Sequence, residues 1–326
     1  MGDGVPELSV VIVNHNGAAF IERCLAAVLA QEVQGDFEVL VVDNASTDGS
    51  PELVRDRFPS VRVLRSSRNL GFAAGCNTGM RAAAGRFLVL LNTDAYPRAG
   101  CLAALRAAVL SDDRAAAVTA KLVFADRPGV IQNAGVLLLT DGGGADRGAG
   151  EEDGGQYGLR EEVFGFCGAA ALLRRDALSD TGGFDERFFM YYEDTDLSWR
   201  LRLRGWRIVY EPAAVVDHVH TGTSAEWSDF FTFHADRNRL LTLLKCAPPG
   251  MLLRSVLAIS RRGAAGAGSA QHQLRRGLHT RVALSLLRLL PHALVQRLRI
   301  RLRRRVPDSE WKKLLYPREL WEARAR

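Results

Sequence analysis

Four short apolar runs set the frame of this chain: LSVVIV (8–13), FEVLVV (37–42), VRVLRS (61–66) and FLVLL (87–91). Each is too short for a buried helix and rich in branched aliphatic residues, so each reads as a strand. The segments between them have the other period. AAFIERCLAAVLAQ (18–31) carries apolar residues at helical spacing, Ser50-Pro51 marks a helix start, and GFAAGCNTGMRAAA (71–84) enters a third helix through glycine. Parallel strands need such crossovers, so the alternation predicts an α/β fold around a mostly parallel, doubly wound sheet.

After residue 100 the rhythm changes. A helix is expected over 101–119, and the glycine-rich, acidic stretch TDGGGADRGAGEEDGGQYG (140–158) reads as a mobile loop without folded elements. Helices are expected over 191–205 and 228–246, with strands at WRIVY (206–210) and AAVVDHVH (213–220) between them. From Ala247-Pro248-Pro249-Gly250 onward the chain turns to Arg, Leu and Ala. Residues 251–326 hold 18 Arg and Lys against 4 Asp and Glu, whereas the preceding 250 hold 25 against 33. This segregation divides the chain into a domain over 1–247, with halves of about 7–120 and 121–247, and a basic helical extension over 248–326.

Within that extension Leu287, Leu290, Leu294 and Leu298 form an apolar stripe beside arginines. A cationic amphipathic helix of this kind rests on an anionic membrane surface, or packs on its own domain or a partner. Nucleic acid is not expected, because aromatic residues and binding motifs are missing from the stripe. No run reaches 18 apolar residues, and the first run lacks a basic flank, so neither a membrane span nor a signal peptide is expected. The five cysteines are scattered, which fits reduced thiols in a cytoplasmic protein.

The chemistry-bearing residues cluster at strand ends. FLVLL stops at Asn92-Thr93-Asp94. These are turn residues, yet open α/β sheets also bind ligands at the carboxyl ends of their strands. On extended backbone Asn92 and Asp94 point the same way. Asp43 ends the second strand, where an acidic residue accepts a hydrogen bond from a ribose or base, or caps a turn with Asn44 to Asp48. A dinucleotide or P-loop phosphate site is excluded: the first strand leads into NHNGAAF, with neither G-x-G-x-x-G nor G-x-x-x-x-G-K-[ST]. Diphosphate in such a site needs a divalent cation held by carboxylates.

A second acidic group, Tyr192-Glu193-Asp194-Thr195-Asp196, follows the aromatic run Phe188 to Tyr192. Acidic residues suit a helix N-terminus, and Asp196–Arg200 has ion-pair spacing. A carboxylate beside an aromatic patch also loses water, which raises its pKa toward that of a useful base. In Asp217-His218-Val219-His220 the two histidines share a face, so either is placed to join Asp94 at a metal.

Taken in order, VVIVNHNG, VVDNASTDGS, RNLGFAAGCNTG, LLNTDA, FCGAAALLRR, GGFDERFFMYYEDTDLSWRLRLRG and AVVDHVHTGTS resemble glycosyltransferase family 2, and within it the rhamnosyltransferase-like enzymes. The resemblance spans about residues 7–247 and implies the GT-A nucleotide-diphospho-sugar transferase fold. It also implies an inverting, metal-dependent transfer from a dTDP- or UDP-sugar to a saccharide or polyprenyl-linked acceptor, in building cell-surface polysaccharide. By the same resemblance Asp194 is the general base, with Glu193 and Tyr192 on the acceptor side. Asp43, Asn14, Asn16, Arg68, Asn69 and Asn92 bind the donor, while Asp94 and His218 (or His220) hold Mg or Mn. Asn92 departs from the family's D-x-D, supplying an amide oxygen where the first aspartate stands. Two other functions compete with this one. A sugar-nucleotide nucleotidyltransferase would want a glycine-rich basic loop after the first strand, and a degenerate sugar-binding module would have lost Asp94 or Glu193-Asp194.

Overall fold

The computed structural model describes residues 5–219, 228–255 and 270–324. His220 therefore lies outside the described residues. The first half alternates as the periodicities predict: β1 (Leu8–Asn14), α1 (Ile21–Leu29), β2 (Phe37–Asp43), α2 (Ser50–Arg57), β3 (Arg62–Arg65), α3 (Gly71–Ala82) and β4 (Phe87–Asn92). β1 lies between β2 and β4, parallel to both, and β3 continues the sheet beyond β2. Val10, Ile12, Val41, Val89 and Leu91 turn to one face and Val11, Leu40, Val42, Leu88 and Leu90 to the other, so both faces are buried under helices.

The second half adds strands that the sequence did not announce. β5 (Ala95–Pro97) and α4 (Cys101–Leu110) precede β6 (Ala115–Phe124), followed by β7 (Arg127–Asn133), β8 (Val136–Leu139), β9 (Gly144–Asp146) and β10 (Glu161–Glu162). The helix expected over 101–119 thus ends at Leu110, and Ala115-Ala116-Ala117-Val118 is strand. Alanine is the best helix former, but a strand buried on both faces between β11 (Ala170–Arg174) and its other neighbour wins here through packing. That neighbour is β12 (Arg207–His218), a single bulged strand parallel to β6, where two strands were expected. The stretch 140–158 is likewise folded. β9 pairs with β8, and Ile131 donates to the Glu151 carbonyl at 2.8 Å.

α5 (Arg175–Thr181), α6 (Glu193–Leu203) and α7 (Asp229–Cys246) complete the domain. The basic extension is helical, as α8 (Ala270–Arg303), α9 (Asp308–Lys312) and α10 (Arg318–Arg324), with β13 (Leu315–Tyr316) between the last two. It folds back onto the domain. β13 pairs with β8, and Trp311, 1% exposed, packs on Trp199 with ring centroids 5.1 Å apart. Removing a buried tryptophan costs about 3–5 kcal/mol. Trp311→Ala is therefore expected to lower the stability of the whole chain in denaturant titration by that amount; an effect under 1 kcal/mol would mean the extension is not docked. No helix among the described residues is long and apolar enough to cross a membrane.

Candidate active site

Register brings the strand ends together. Asn14 lies opposite Asp43, and Val13 opposite Asn92. β5 runs antiparallel to β12 with Ala95 opposite His218, and Val219 donates its N–H to the Asp94 carbonyl at 3.0 Å. Residues about 120 positions apart therefore meet, and His218 Nε2 lies 3.2 Å from Asp94 Oδ1. On the other side of β4, Asn92 N–H donates to the Ala169 carbonyl, which places Gly168 beside the same strand end. Gly168 N–H in turn donates to Asp194 Oδ2 at 3.1 Å. One backbone step thus ties the start of α6 to the Asn92–Asp94 turn.

The ends of β4 and β12 and the start of α6 line one cavity of about 290 Å³. His15, Asn44 and Asn69 contribute from the loops after β1, β2 and β3, and Asp94, Gln132, Asp146, His218, Glu193 and Asp194 contribute from the other strand and helix ends. Phe72, Met190, Tyr191 and Phe231 give it apolar walls, with Tyr191 and Phe231 edge to face at 4.9 Å. Aromatic faces beside a few charged groups are the composition of a small-molecule site.

The two acidic residues of α6 differ in their surroundings. Asp194 Oδ1 accepts from Thr195 N–H at 2.6 Å, while Oδ2 faces Gly168 and the cavity. Burial pushes its carboxyl above the usual range, and the Asp146 charge adds to this; hydrogen bonds from Gly168 and Thr195 oppose it. Glu193 is buried, its Oε2 has no hydrogen-bond partner, and burial with the Asp194 and Asp196 charges pushes it up much further. Both carboxyls are thus held above the usual range, and Asp194, with Oδ2 facing the cavity, is the group placed to accept a proton.

α6 opens from a strained loop. Phe189, Tyr191 and Tyr192 have φ of 65°, 69° and 67°, a region non-glycine residues rarely occupy. Asn238 of α7 holds it, its buried amide donating to the carbonyls of Phe188, Met190 and Tyr191 at 2.9, 2.8 and 2.7 Å. The sequence carries no signal for Asn238 beyond its lying on a helix. Gly71 fits beneath this loop at φ 83°, where a side chain would meet Phe189. Asn238→Ala leaves buried carbonyls without a donor, each costing about 1–3 kcal/mol. The variant is expected to lose that stability and, because Asp194 is aimed by this loop, most transfer activity as well. Circular dichroism melts with initial rates check both; full activity at reduced stability would detach the loop from the site.

Several expected site residues lie elsewhere. Asn14 and Asp43 are fully buried below the cavity and do not line it. Asn14 Nδ2 donates to Ser50 Oγ at 2.8 Å and Ser46 Oγ at 3.1 Å, and Asp43 Oδ1 accepts from Ser46 N–H. Asp43 Oδ2 has no hydrogen bond, with Arg65 Nε 3.6 Å away. Asn16 accepts from Thr47 N–H and shapes the loop, while Arg68 is exposed and does not line the cavity. Asn69 does line it, accepting from Asn44 Nδ2 at 2.9 Å. Tyr192 points away from the cavity, its hydroxyl accepting from Gly144 N–H. Asn44, Gln132 and Asp146 are lining residues that the sequence reading missed, Asp146 because it sits in the stretch taken for a loop.

The Asp94–His218 pair fits a divalent cation. Gln132 Oε1 lies 2.7 Å from His218 Nδ1; with the ring proton on Nδ1, Nε2 presents its lone pair toward Asp94. A carboxylate oxygen and an imidazole nitrogen facing each other are the donors such a cation takes. No group of three or more His, Cys, Asp or Glu side chains stands ready to hold a metal alone among the described residues. Substrate diphosphate oxygens would complete the set.

Comparisons with known proteins bear on the family and the fold. The pattern of Glycosyl transferase family 2 matches residues 9–182. An N-acetylglucosaminyl-diphospho-decaprenol L-rhamnosyltransferase of Mycobacterium tuberculosis (strain CDC 1551 / Oshkosh) is 33% identical over 233 residues, covering 65% of this chain and 75% of that protein. Among solved structures, GalNAc-T7 with UDP, GalNAc and Mn2+ superposes with a TM-score of 0.55 at 15% identity, over 76% of this chain and 52% of that one, about half its length. The mannosyltransferase PcManGT of Pyrobaculum calidifontis, in complex with GDP-Man and Mn2+, gives 0.53 at 22% identity over 91% of this chain and 88% of its own. With the parallel core and helical carboxyl-terminal region described above, the chain belongs to glycosyltransferase family 2, a sugar-transferring enzyme on the GT-A fold.

Proposed function

We propose that this enzyme transfers a deoxyhexose of the rhamnose class, with inversion, from a dTDP- or UDP-sugar to a hydroxyl of a saccharide or polyprenyl-linked acceptor. The step belongs to cell-surface polysaccharide synthesis on the cytoplasmic face of the membrane. The observation that carries the reading is the convergence of Asp194 with the Asp94–His218 pair on one cavity through Gly168 and Asn92. The name of the mycobacterial relative supports the sugar and the lipid diphosphate acceptor.

The chain's own groups then divide the work. His15, Asn44 and Asn69 border the nucleotide, and Asp43, buried beneath them, holds the loop after β2 through Ser46 N–H. Asp94 and His218, with Asn92 beside them, would hold the cation, which when bound neutralises charge on the leaving diphosphate. Phe72, Tyr191 and Phe231 flank the sugar and keep water out. Glu193 stands on the acceptor side, and Asp194, whose Oδ2 faces the cavity, takes the proton from the attacking hydroxyl. As that oxygen bonds to the anomeric carbon, the sugar–phosphate bond breaks and the diphosphate leaves with its electron pair.

A panel of nucleotide sugars, incubated with Mn2+ and N-acetylglucosaminyl-diphospho-polyprenol, tests the assignment by mass spectrometry of the lipid product. Addition of a deoxyhexose from dTDP-rhamnose above all other donors is expected. Preferred addition of a different sugar would overturn the donor, and no addition from any donor would overturn the acceptor.

A further inference from the structure

A second cavity, apart from the catalytic one, is the larger of the two. It encloses about 700 Å³ between the segment Ser179–Arg187 and the α8 face bearing His292, Gln296, Arg299 and Arg303. Its carboxylates are all engaged. Asp180 accepts from Arg204 Nε at 2.9 Å, Asp185 from Lys245 and His292 at 2.8 and 2.7 Å, and Glu186 from Asn77 at 3.0 Å. Arg200 pairs with Asp196 at 2.8 Å. Three guanidinium groups, those of Arg187, Arg299 and Arg303, remain without a hydrogen-bond or ion-pair partner among the described residues, and all three line the cavity. Arg299 and Arg303 are four apart on one helix, an arrangement of like charges that is destabilising when nothing neutralises it.

The same helix supplies a second, independent observation. At about 100° per residue, the cavity-lining positions of α8 form one edge of the helix. Ala293 and Arg297 lie on the packed side, Arg297 donating to the Leu244 and Ala247 carbonyls at 2.8 Å, and Ile300 stands between that side and the cavity. Leu287, Leu294, Leu298 and Leu302 lie on the opposite edge and are 54–77% exposed. An apolar row this exposed, flanked by arginines, suits the boundary between headgroups and acyl chains. The row and the arginine-lined mouth belong to one helix and stand on opposite edges of it.

We propose that this cavity is a phosphate-binding subsite that takes the phosphate or diphosphate group of a lipid in the membrane on which α8 rests. Three unpaired guanidinium groups offer the forked donors that phosphate oxygens accept. The membrane part rests on the proposed function, which places the step at the membrane; the phosphate part does not.

The test uses the full chain in EDTA, which keeps the donor site from binding diphosphate through a cation. Inorganic diphosphate is titrated by calorimetry, and sedimentation is measured with phosphatidylcholine vesicles with and without phosphatidylglycerol. Wild type is expected to bind diphosphate, and Arg299→Gln/Arg303→Gln to bind it at least tenfold more weakly, with an equal loss of preference for phosphatidylglycerol. Arg288→Gln/Arg301→Gln removes the same charge from exposed positions outside the cavity and is expected to leave diphosphate affinity unchanged. Leu294→Ser/Leu298→Ser is expected to lose both vesicle types yet keep diphosphate. Absence of diphosphate binding by wild type, or equal affinity in the Arg299/Arg303 variant, would overturn the subsite. Diphosphate binding lost with Arg299 and Arg303 but no vesicle binding at all would assign the site to a free phosphate compound and overturn the lipid. None of these readouts involves turnover, so a failure of the rhamnosyl assignment is recorded separately.

Discussion

Asp194→Asn is expected to lower transfer by about 10²–10⁴-fold while nucleotide binding stays near wild type. The carboxylate accepts hydrogen bonds from Gly168 and Thr195 and faces the cavity, so the amide keeps its shape but loses the charge that draws a proton from the acceptor. The pH profile separates this role from a structural one. Only the ionised form is a base, so the rate rises with pH as Asp194 loses its proton. Burial first, and the Asp146 charge second, hold that carboxyl above the ordinary range. The acid limb is therefore expected at higher pH than a solvent-exposed aspartate would give, and Asp146→Asn is expected to move it to lower pH. Retained activity in Asp194→Asn, or a limb that Asp146→Asn leaves in place, would remove the base assignment.

The second large effect is on the cation. Asp94→Ala deletes the carboxylate facing His218 Nε2 and is expected to abolish metal binding and metal-dependent donor binding together. Gln132→Ala should act more mildly, because Gln132 only fixes the histidine's proton and orientation through Nδ1. Outer partners of this kind are worth about 10–100-fold in metal affinity. Titration of Mn2+ into each variant in the presence of UDP should give the order wild type, Gln132→Ala, Asp94→Ala. An Asp94→Ala titration indistinguishable from wild type would sink the metal role for this edge of the sheet.

How much of this was legible beforehand depends on whether each signal is local. The run ending at Asn92-Thr93-Asp94 and the pair Glu193-Asp194 are visible as local features, but each alone also reads as a turn or a helix start, and only their order along the chain favours a site. The pairing of Ala95 with His218 cannot be read from sequence, since it depends on strands about 120 residues apart. Asp146 was hidden because glycine and acidic residues in 140–158 resemble a loop, and only contact with β8 makes part of it strand. Ala115–Val118 misled for the opposite reason, a strong local helix preference overridden by burial between two strands. Asn44 lies in VVDNASTDGS without a role assigned to it, and Asn238 belongs to no motif. Their importance comes from the carbonyls they satisfy, which are visible only once the chain is folded. The division at residue 247 followed composition, which marks where the basic segment begins but not that Trp311 and β13 return to the domain.

The central claim is that a single base at Asp194 drives direct displacement of a diphosphate held at Asp94 and His218. The anomeric configuration of the product, read from its proton NMR coupling and compared with the donor, tests this most directly. Direct displacement predicts a linkage of configuration opposite to the donor's. A product that retains the donor's configuration would require a second displacement and would contradict the account.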